Sequence, residues 1–232
     1  MALTEYTPQL VVRVGGKDWH LERAADLEAL WNAMGETDWG DDERLPYWTE
    51  LWPSSVALGE WLVAHKDVIT GRCCLDMGCG LGLTAMIGAW LGARVVAMDY
   101  EPQALHFAAR NAVRNGVPSP LWTVMDWRMP GVRASAFDCV WGGDIMYERR
   151  FVEPVLDFLA HVLSPQGVAW VAEPNRSVYA HFRSLLDRRG WRSRPLSTEN
   201  VSALYEQPSG ITVTIWELRR PAGEIPPVGG TF

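Results

Sequence analysis

The sequence predicts an α/β fold: a doubly wound, mostly parallel seven-stranded sheet that closes in a C-terminal antiparallel hairpin. Two observations carry this reading. From Cys73 onward, short apolar runs alternate with segments whose apolar residues recur at helical spacing, which implies crossover units and a parallel sheet covered on both faces. Near the end the pattern changes. Ile211, Val213 and Ile215 alternate with Thr212, Thr214 and Trp216, and no helix separates this run from a strand candidate at residues 201–205, so the two should pair antiparallel.

Taken in order, residues 10–14 form a short strand, and Ala24, Leu27, Leu30, Trp31 and Met34 recur at helical spacing. Both belong to an N-terminal accessory segment, residues 1–46. Residues 40–48, charged and broken by Pro46, read as a surface connection. The main domain is residues 47–220. Pro53 suits the first turn of a helix, where its missing N–H would have no partner anyway, and Leu58, Trp61 and Leu62 give that helix an apolar stripe. Then come a strand at residues 73–77, a helix at 83–91, a strand at 94–98 and a helix at 102–115, with Gly92 and Gly116 as stops. Further strands are expected at 121–125, 137–141 and 168–172, the last after a turn at Ser164-Pro165-Gln166-Gly167. Helices with apolar faces at Val155, Leu156, Leu159 and Val162, and at Phe182, Leu185 and Leu186, separate the later elements. Residues 221–232, rich in Pro and Gly, read as a loose tail.

Composition narrows the function. A chain of 232 residues, 48% hydrophobic and 21% charged, suffices for one substantial core. A formal charge of -7 argues against a broad basic face, so neither nucleic acid nor a membrane surface is an expected partner. Cys73, Cys74, Cys79 and Cys139 form no CxxC pair and lie in or beside apolar runs, as reduced thiols do. With no basic-then-apolar leader and no run of about 18 apolar residues, a cytoplasmic location is expected. The five histidines show no ligand-like spacing, so no metal is expected, and no G-x-S-x-G elbow occurs.

The chemistry concentrates where the first main strand ends, in Leu75-Asp76-Met77-Gly78-Cys79-Gly80-Leu81-Gly82. Three glycines on alternate positions let the backbone turn sharply and let a ligand approach it, and the following helix N-terminus offers N–H groups to a carboxylate. Asp99 ends the next strand, 23 residues after Asp76, near the offset at which an acid holds ribose hydroxyls. Gly80-x-Gly82-x-x-Ala85 also fits the dinucleotide fingerprint, but a carboxylate at Asp76 would repel a pyrophosphate, whereas it would attract the ammonium of a methionine moiety. A zwitterionic, sulfonium-bearing ligand fits better. The loop after the fourth main strand, at the carboxyl edge where open α/β sheets bind ligands, carries Asp144 and Tyr147. There Asp144 either orients an acceptor or caps a turn that starts a helix, with Tyr147 packed beneath it.

These residues resemble the seven-strand, Rossmann-like class I methyltransferases, whose first motif is D/E-x-G-x-G-x-G with an acid ending the second strand. Leu51-Trp52-Pro53-Ser54-Ser55, Asp126-Trp127 and Asp144-Ile145-Met146-Tyr147 look more narrowly like the lysine methyltransferase family that includes the electron-transfer-flavoprotein β-subunit enzyme. The resemblance covers residues 47–186 and implies S-adenosyl-L-methionine as cofactor, S-adenosyl-L-homocysteine as product and no metal. It implies that Trp52 borders the cofactor, that Gly78, Cys79, Gly80 and Gly82 wrap its methionine part, that Asp99 holds the ribose, that Asp126 and Trp127 contact the adenine, and that Gly143 approaches through its backbone. It further implies a protein substrate, with Asp144 orienting a lysine ammonium and the Tyr147 hydroxyl bonding the amine. A small-molecule, nicotinamide-like acceptor is the rival, since this fold changes acceptors by altering loops, and a non-catalytic S-adenosylmethionine-binding module is the further alternative. Glu173-Pro174-Asn175-Arg176 has no assigned place in the family pattern.

Overall fold

Apolar runs four to seven residues long can be satisfied on both faces only inside a sheet, and the structure puts them there. The computed structural model describes residues 6–25, 47–202 and 209–221. The central strands are β3 (Cys73–Met77), β4 (Arg94–Asp99), β5 (Leu121–Val124), β6 (Phe137–Gly143) and β7 (Leu163–Glu173), all parallel, joined by β8 (Arg192–Val201) and β9 (Ile211–Arg219). The order is β5-β4-β3-β6-β7-β9-β8, with β9 antiparallel to both its neighbours. The fold expected from the sequence is the fold observed.

Helices cover both faces. These are α1 (Pro53–Ala64), a short α2 (Lys66–Ile69), α3 (Leu83–Trp90), α4 (Pro102–Arg114), α5 (Val152–Val162) and α6 (Val178–Arg188). Strand alternation divides the core accordingly: Cys74 joins Leu58, Leu62 and Ile87 on one side, while Leu75 and Met77 join Leu156, Leu159 and Phe182 on the other. From β3 the chain winds outward through β4 and β5, then returns to wind the other way through β6 and β7. The crevice at the carboxyl ends of β3 and β6 is therefore the place where such sheets bind ligands.

Three expectations need correction. The turn at residues 164–167 is absorbed into β7, which starts at Leu163 because that residue pairs with Phe137 across a register shift. The first strand of the closing hairpin lies earlier than expected: β8 ends at Val201, opposite Ile211, and residues 203–208 lie outside the described residues. Its sequence RSRPLSTENV is polar because it is a sheet edge, where Pro195 sits beside a register shift. The N-terminal segment holds a second strand. β1 (Gln9–Val14) and β2 (Lys17–Glu22) form a separate hairpin through Gly15 and Gly16, both at positive φ as a tight two-residue turn demands. The helical stripe at Leu27, Leu30, Trp31 and Met34, residues 40–46 and the tail from 222 lie outside the described residues.

The hairpin rests on α4 through two asparagines one helical turn apart. Asn115 accepts from His20 N–H (2.9 Å) and donates to its carbonyl (2.8 Å), and Asn111 does the same for Glu22 (2.7 and 3.1 Å). Four helical residues rise about 6 Å, close to the roughly 7 Å of two strand residues, so each carboxamide meets every second backbone pair. Asn111 is fully buried and also donates to the Leu81 carbonyl (3.1 Å) in the glycine loop.

Candidate active site

A cavity of about 500 Å³ opens at the carboxyl ends of β3, β4, β5 and β6, within the size range of small-molecule sites. Ten of the twelve residues expected at the site line it: Trp52, Gly78, Cys79, Gly80, Asp99, Asp126, Trp127, Gly143, Asp144 and Tyr147. Asp76 and Gly82 do not.

The glycine loop spends most of its N–H groups on its own shape. Those of Gly78 and Cys79 go to the Met98 carbonyl (3.0 and 2.9 Å), that of Gly82 to the Cys79 carbonyl (2.8 Å), and that of Gly80 to Asp99 Oδ2 (2.8 Å). Gly78, Gly80 and Gly82 all have positive φ, so only glycine follows this path without strain. Asp99 therefore has two tasks: it ties the loop to the end of β4, accepting also from Glu101 N–H (3.0 Å), and its remaining lone pairs face the cavity. Burial raises its pKa, and the N–H groups of Glu101 and Gly80 oppose the shift. Burial likewise pushes the Cys79 thiol well up, with Asp99 and Asp76 adding to it, so the group stays a thiol.

Asp76 differs from expectation. It does not line the cavity: buried below the loop, it accepts a 2.6 Å hydrogen bond from Thr84 Oγ1 and takes one from Ala85 N–H, which ties it to the start of α3. Burial is the main cause that lifts its pKa from 3.8 to about 7. A folded-state pKa above the unfolded value means that the folded chain holds the proton more tightly. The stabilising contribution is complete below about pH 4 and is lost as pH rises through 7. Asp76→Asn, which cannot ionise, should therefore gain stability relative to the parent as pH rises from 5 to 8. Thermal unfolding of both proteins across that range measures it, and a constant difference would count against the buried proton.

Gly82 does not line the cavity, and its missing side chain serves packing. With φ at 85°, a Cβ there would lie 2.8 Å from Ala108 Cβ and 3.1 Å from Trp122, so α3, α4 and β5 close over it. Gly82→Ala combines left-handed strain with overpacking and should cost roughly 2–4 kcal/mol in urea unfolding. Gly143 lines the cavity, but its bare face also admits the start of α1: a Cβ would meet Ser55 Oγ at 3.1 Å.

An aromatic wall runs along the cavity. Trp52 meets Tyr47 (6.1 Å between centroids), Tyr47 meets Tyr147 (5.0 Å), Tyr147 meets Phe151 (5.0 Å), and Phe151 meets Trp127 (5.5 Å), all edge to face. Trp52 is fixed by its indole N–H to the Tyr47 carbonyl (3.0 Å). Beside Trp127, Asp126 accepts from both the backbone and the guanidinium of Arg128. Asp99, the bare loop and these rings suit an adenosine joined to an amino acid, with a carboxylate for ribose and flat faces for adenine.

Asp144 and Tyr147 line the same cavity. Asp144 is no helix cap: the next helical turn starts at Arg149, with Glu148 before it, and α5 is preceded by Phe151. Its φ is 52°, rare for a residue with a Cβ, and its N–H bonds the Ala172 carbonyl (2.8 Å). The carboxylate is held by Arg176 in a fork, Nε to Oδ1 at 3.0 Å and Nη2 to Oδ2 at 2.8 Å. Burial, and secondarily Glu148, raises the Tyr147 pKa, so its hydroxyl keeps its proton at neutral pH and serves as a hydrogen-bonding group, not a base. Sequence reasoning missed Arg176, Tyr47, Tyr100 and Phe151 among the lining residues. The unassigned Glu173-Pro174-Asn175-Arg176 was the available signal for the first.

Among the described residues no group of three His, Cys, Asp or Glu side chains is gathered as for a metal ion, and no helix is long and apolar enough to cross a membrane. The four cysteines carry no disulfide.

Comparison with known proteins agrees with this geometry. Residues 74–167 match the family described as a methyltransferase domain. The electron transfer flavoprotein beta subunit lysine methyltransferase of Danio rerio is 31% identical over 136 residues, 58% of this chain and 52% of that protein. The ribosomal protein L11 methyltransferase of Pseudomonas paraeruginosa is 38% identical over 179 residues, 69% and 57% of the respective chains. The chain thus spans about half the length of the curated relatives it matches. Among solved structures, a ribosomal protein L11 methylase from Lactobacillus delbrueckii subsp. bulgaricus superposes with a TM-score of 0.56 at 15% identity, covering 72% of this chain and 78% of that one, which speaks for the fold alone. Residues 74–167 thus match a methyltransferase domain within a Rossmann-like sheet, and the chain resembles the electron transfer flavoprotein beta subunit lysine methyltransferases.

Proposed function

We propose that the protein transfers the methyl group of S-adenosylmethionine to an amine, and that the amine is a lysine side chain of a protein. One observation carries the reading: the cavity lined by the glycine loop and Asp99 is lined by Asp144 and Tyr147 as well. When bound, S-adenosylmethionine supplies an electrophilic methyl on a sulfonium. The protein's own part is alignment and charge. Asp99 and the loop seat the nucleoside, Asp144 draws an ammonium into line, and the Tyr147 hydroxyl offers a hydrogen bond to the amine. The proton that the amine sheds before attack leaves for solvent, since Tyr147 cannot take it. Six carboxylates line the cavity against three guanidiniums, a balance that favours a cationic acceptor. The aromatic wall favours it too, because rings attract cations at their faces.

The names of both curated relatives above, each a methyltransferase of a protein, support a protein acceptor. The test is transfer of labelled methyl from S-adenosylmethionine into a fractionated extract. Label retained with macromolecules and recovered as methyllysine after acid hydrolysis is the expected result. Label found only in the low-molecular-weight filtrate would reassign the acceptor to a metabolite, including the nicotinamide-like amines.

A further inference from the structure

Asp144 is nearly buried, its side chain only 4% exposed, yet both of its oxygens are already engaged by Arg176. A buried carboxylate without a cation is costly, and Arg176 supplies that cation. Arg176 comes from the loop after β7, not from the elements that build the cofactor end, and its side chain is 39% exposed. Its guanidinium also lies 5.8 Å from the centroid of the Trp52 ring. Once it releases the carboxylate, both an aromatic face and water can receive it.

We propose that Arg176 is a built-in stand-in for the acceptor's ammonium: it occupies the Asp144 carboxylate until a cationic amine displaces it, and it thereby makes cation exchange the condition for entry. This rests on the amine reading above. A neutral or anionic molecule cannot replace the guanidinium without stranding the Asp144 charge, so it is refused even when its shape fits. Arg176 is thus a specificity-determining residue. The exchange lowers the acceptor's apparent affinity, since only the fraction of protein with Arg176 swung out is competent to bind.

The test uses the whole protein saturated with S-adenosylhomocysteine and titrated with n-butylammonium, which copies the end of a lysine side chain, by calorimetry or ligand-observed NMR. Neutral n-butanol is the control. Arg176→Gln removes the competing charge and should bind butylammonium at least about fivefold more tightly than the parent, with butanol unchanged. Arg176→Lys keeps a cation and should stay near the parent. An equal or weaker butylammonium affinity in Arg176→Gln, no butylammonium binding by any variant, or an equal gain for butanol would overturn the proposal. S-adenosylhomocysteine affinity, measured first in each protein, separates the cases: its absence in the parent defeats the methyltransferase reading itself, and its presence leaves only the exchange in question. Should the glutamine variant lose that affinity, Arg176→Met, which keeps a long stem, takes its place under the same criteria.

Discussion

Replacing Asp144 by Asn should lower methyl transfer by roughly 10²-fold or more while S-adenosylhomocysteine binds as before, the scale on which lost positioning of a reacting group costs rate. The reason is local. Asp144 lines the cavity as a nearly buried carboxylate, and the hydrogen bonds that shape the glycine loop do not involve it. Asn keeps the shape and tolerates the left-handed backbone at φ 52°, so the loss reports on charge and not on collapse. Tyr147→Phe removes one neutral hydrogen bond from a ring that stays packed between Tyr47 and Phe151, and should cost less. Initial rates paired with calorimetric affinities separate the two effects. Undiminished turnover in Asp144→Asn would remove this carboxylate from the mechanism.

Asp99→Ala should instead abolish cofactor binding, raising the dissociation constant of S-adenosylhomocysteine by roughly 10²- to 10⁴-fold. Hydrogen bonds to charged groups are worth about 1.5–3 kcal/mol each, and the substitution forfeits those from Gly80 and Glu101 as well as those offered to the ligand. The loop then loses the tie that holds Gly80 to the end of β4. Calorimetry on Asp99→Ala and Asp99→Asn measures the effect. The amide retains one acceptor oxygen and should recover part of the affinity, and a change under tenfold in the alanine variant would contradict the assigned role.

The central strands were legible because β3, β4 and β6 are buried on both faces, and a run with no polar partner has few other places to go. The loop that follows β3 was legible because three glycines with a nearby acid leave few backbone solutions. What escaped was polar or positional. β8 carries exposed arginines and Pro195 at a sheet edge, where hydropathy says nothing. β2 was missed although Gly15-Gly16 between two alternating runs is a hairpin signal. Asp76 and Gly82 belong to a true motif, but sequence spacing does not distinguish a residue facing the ligand from one that shapes the loop behind it. Arg176 reaches Asp144 from 32 positions away, a meeting that only the folded sheet creates.

One carboxamide joins the two ends of this architecture. Asn111 grips Glu22 in the hairpin and the Leu81 carbonyl in the glycine loop. Free energy spent on ordering either partner is shared by the other, and the sharing is mutual by thermodynamic necessity. The small ribbon at the start of the chain is therefore splinted to the glycine bend by one side chain, and any coupling between the order of the two runs equally in both directions.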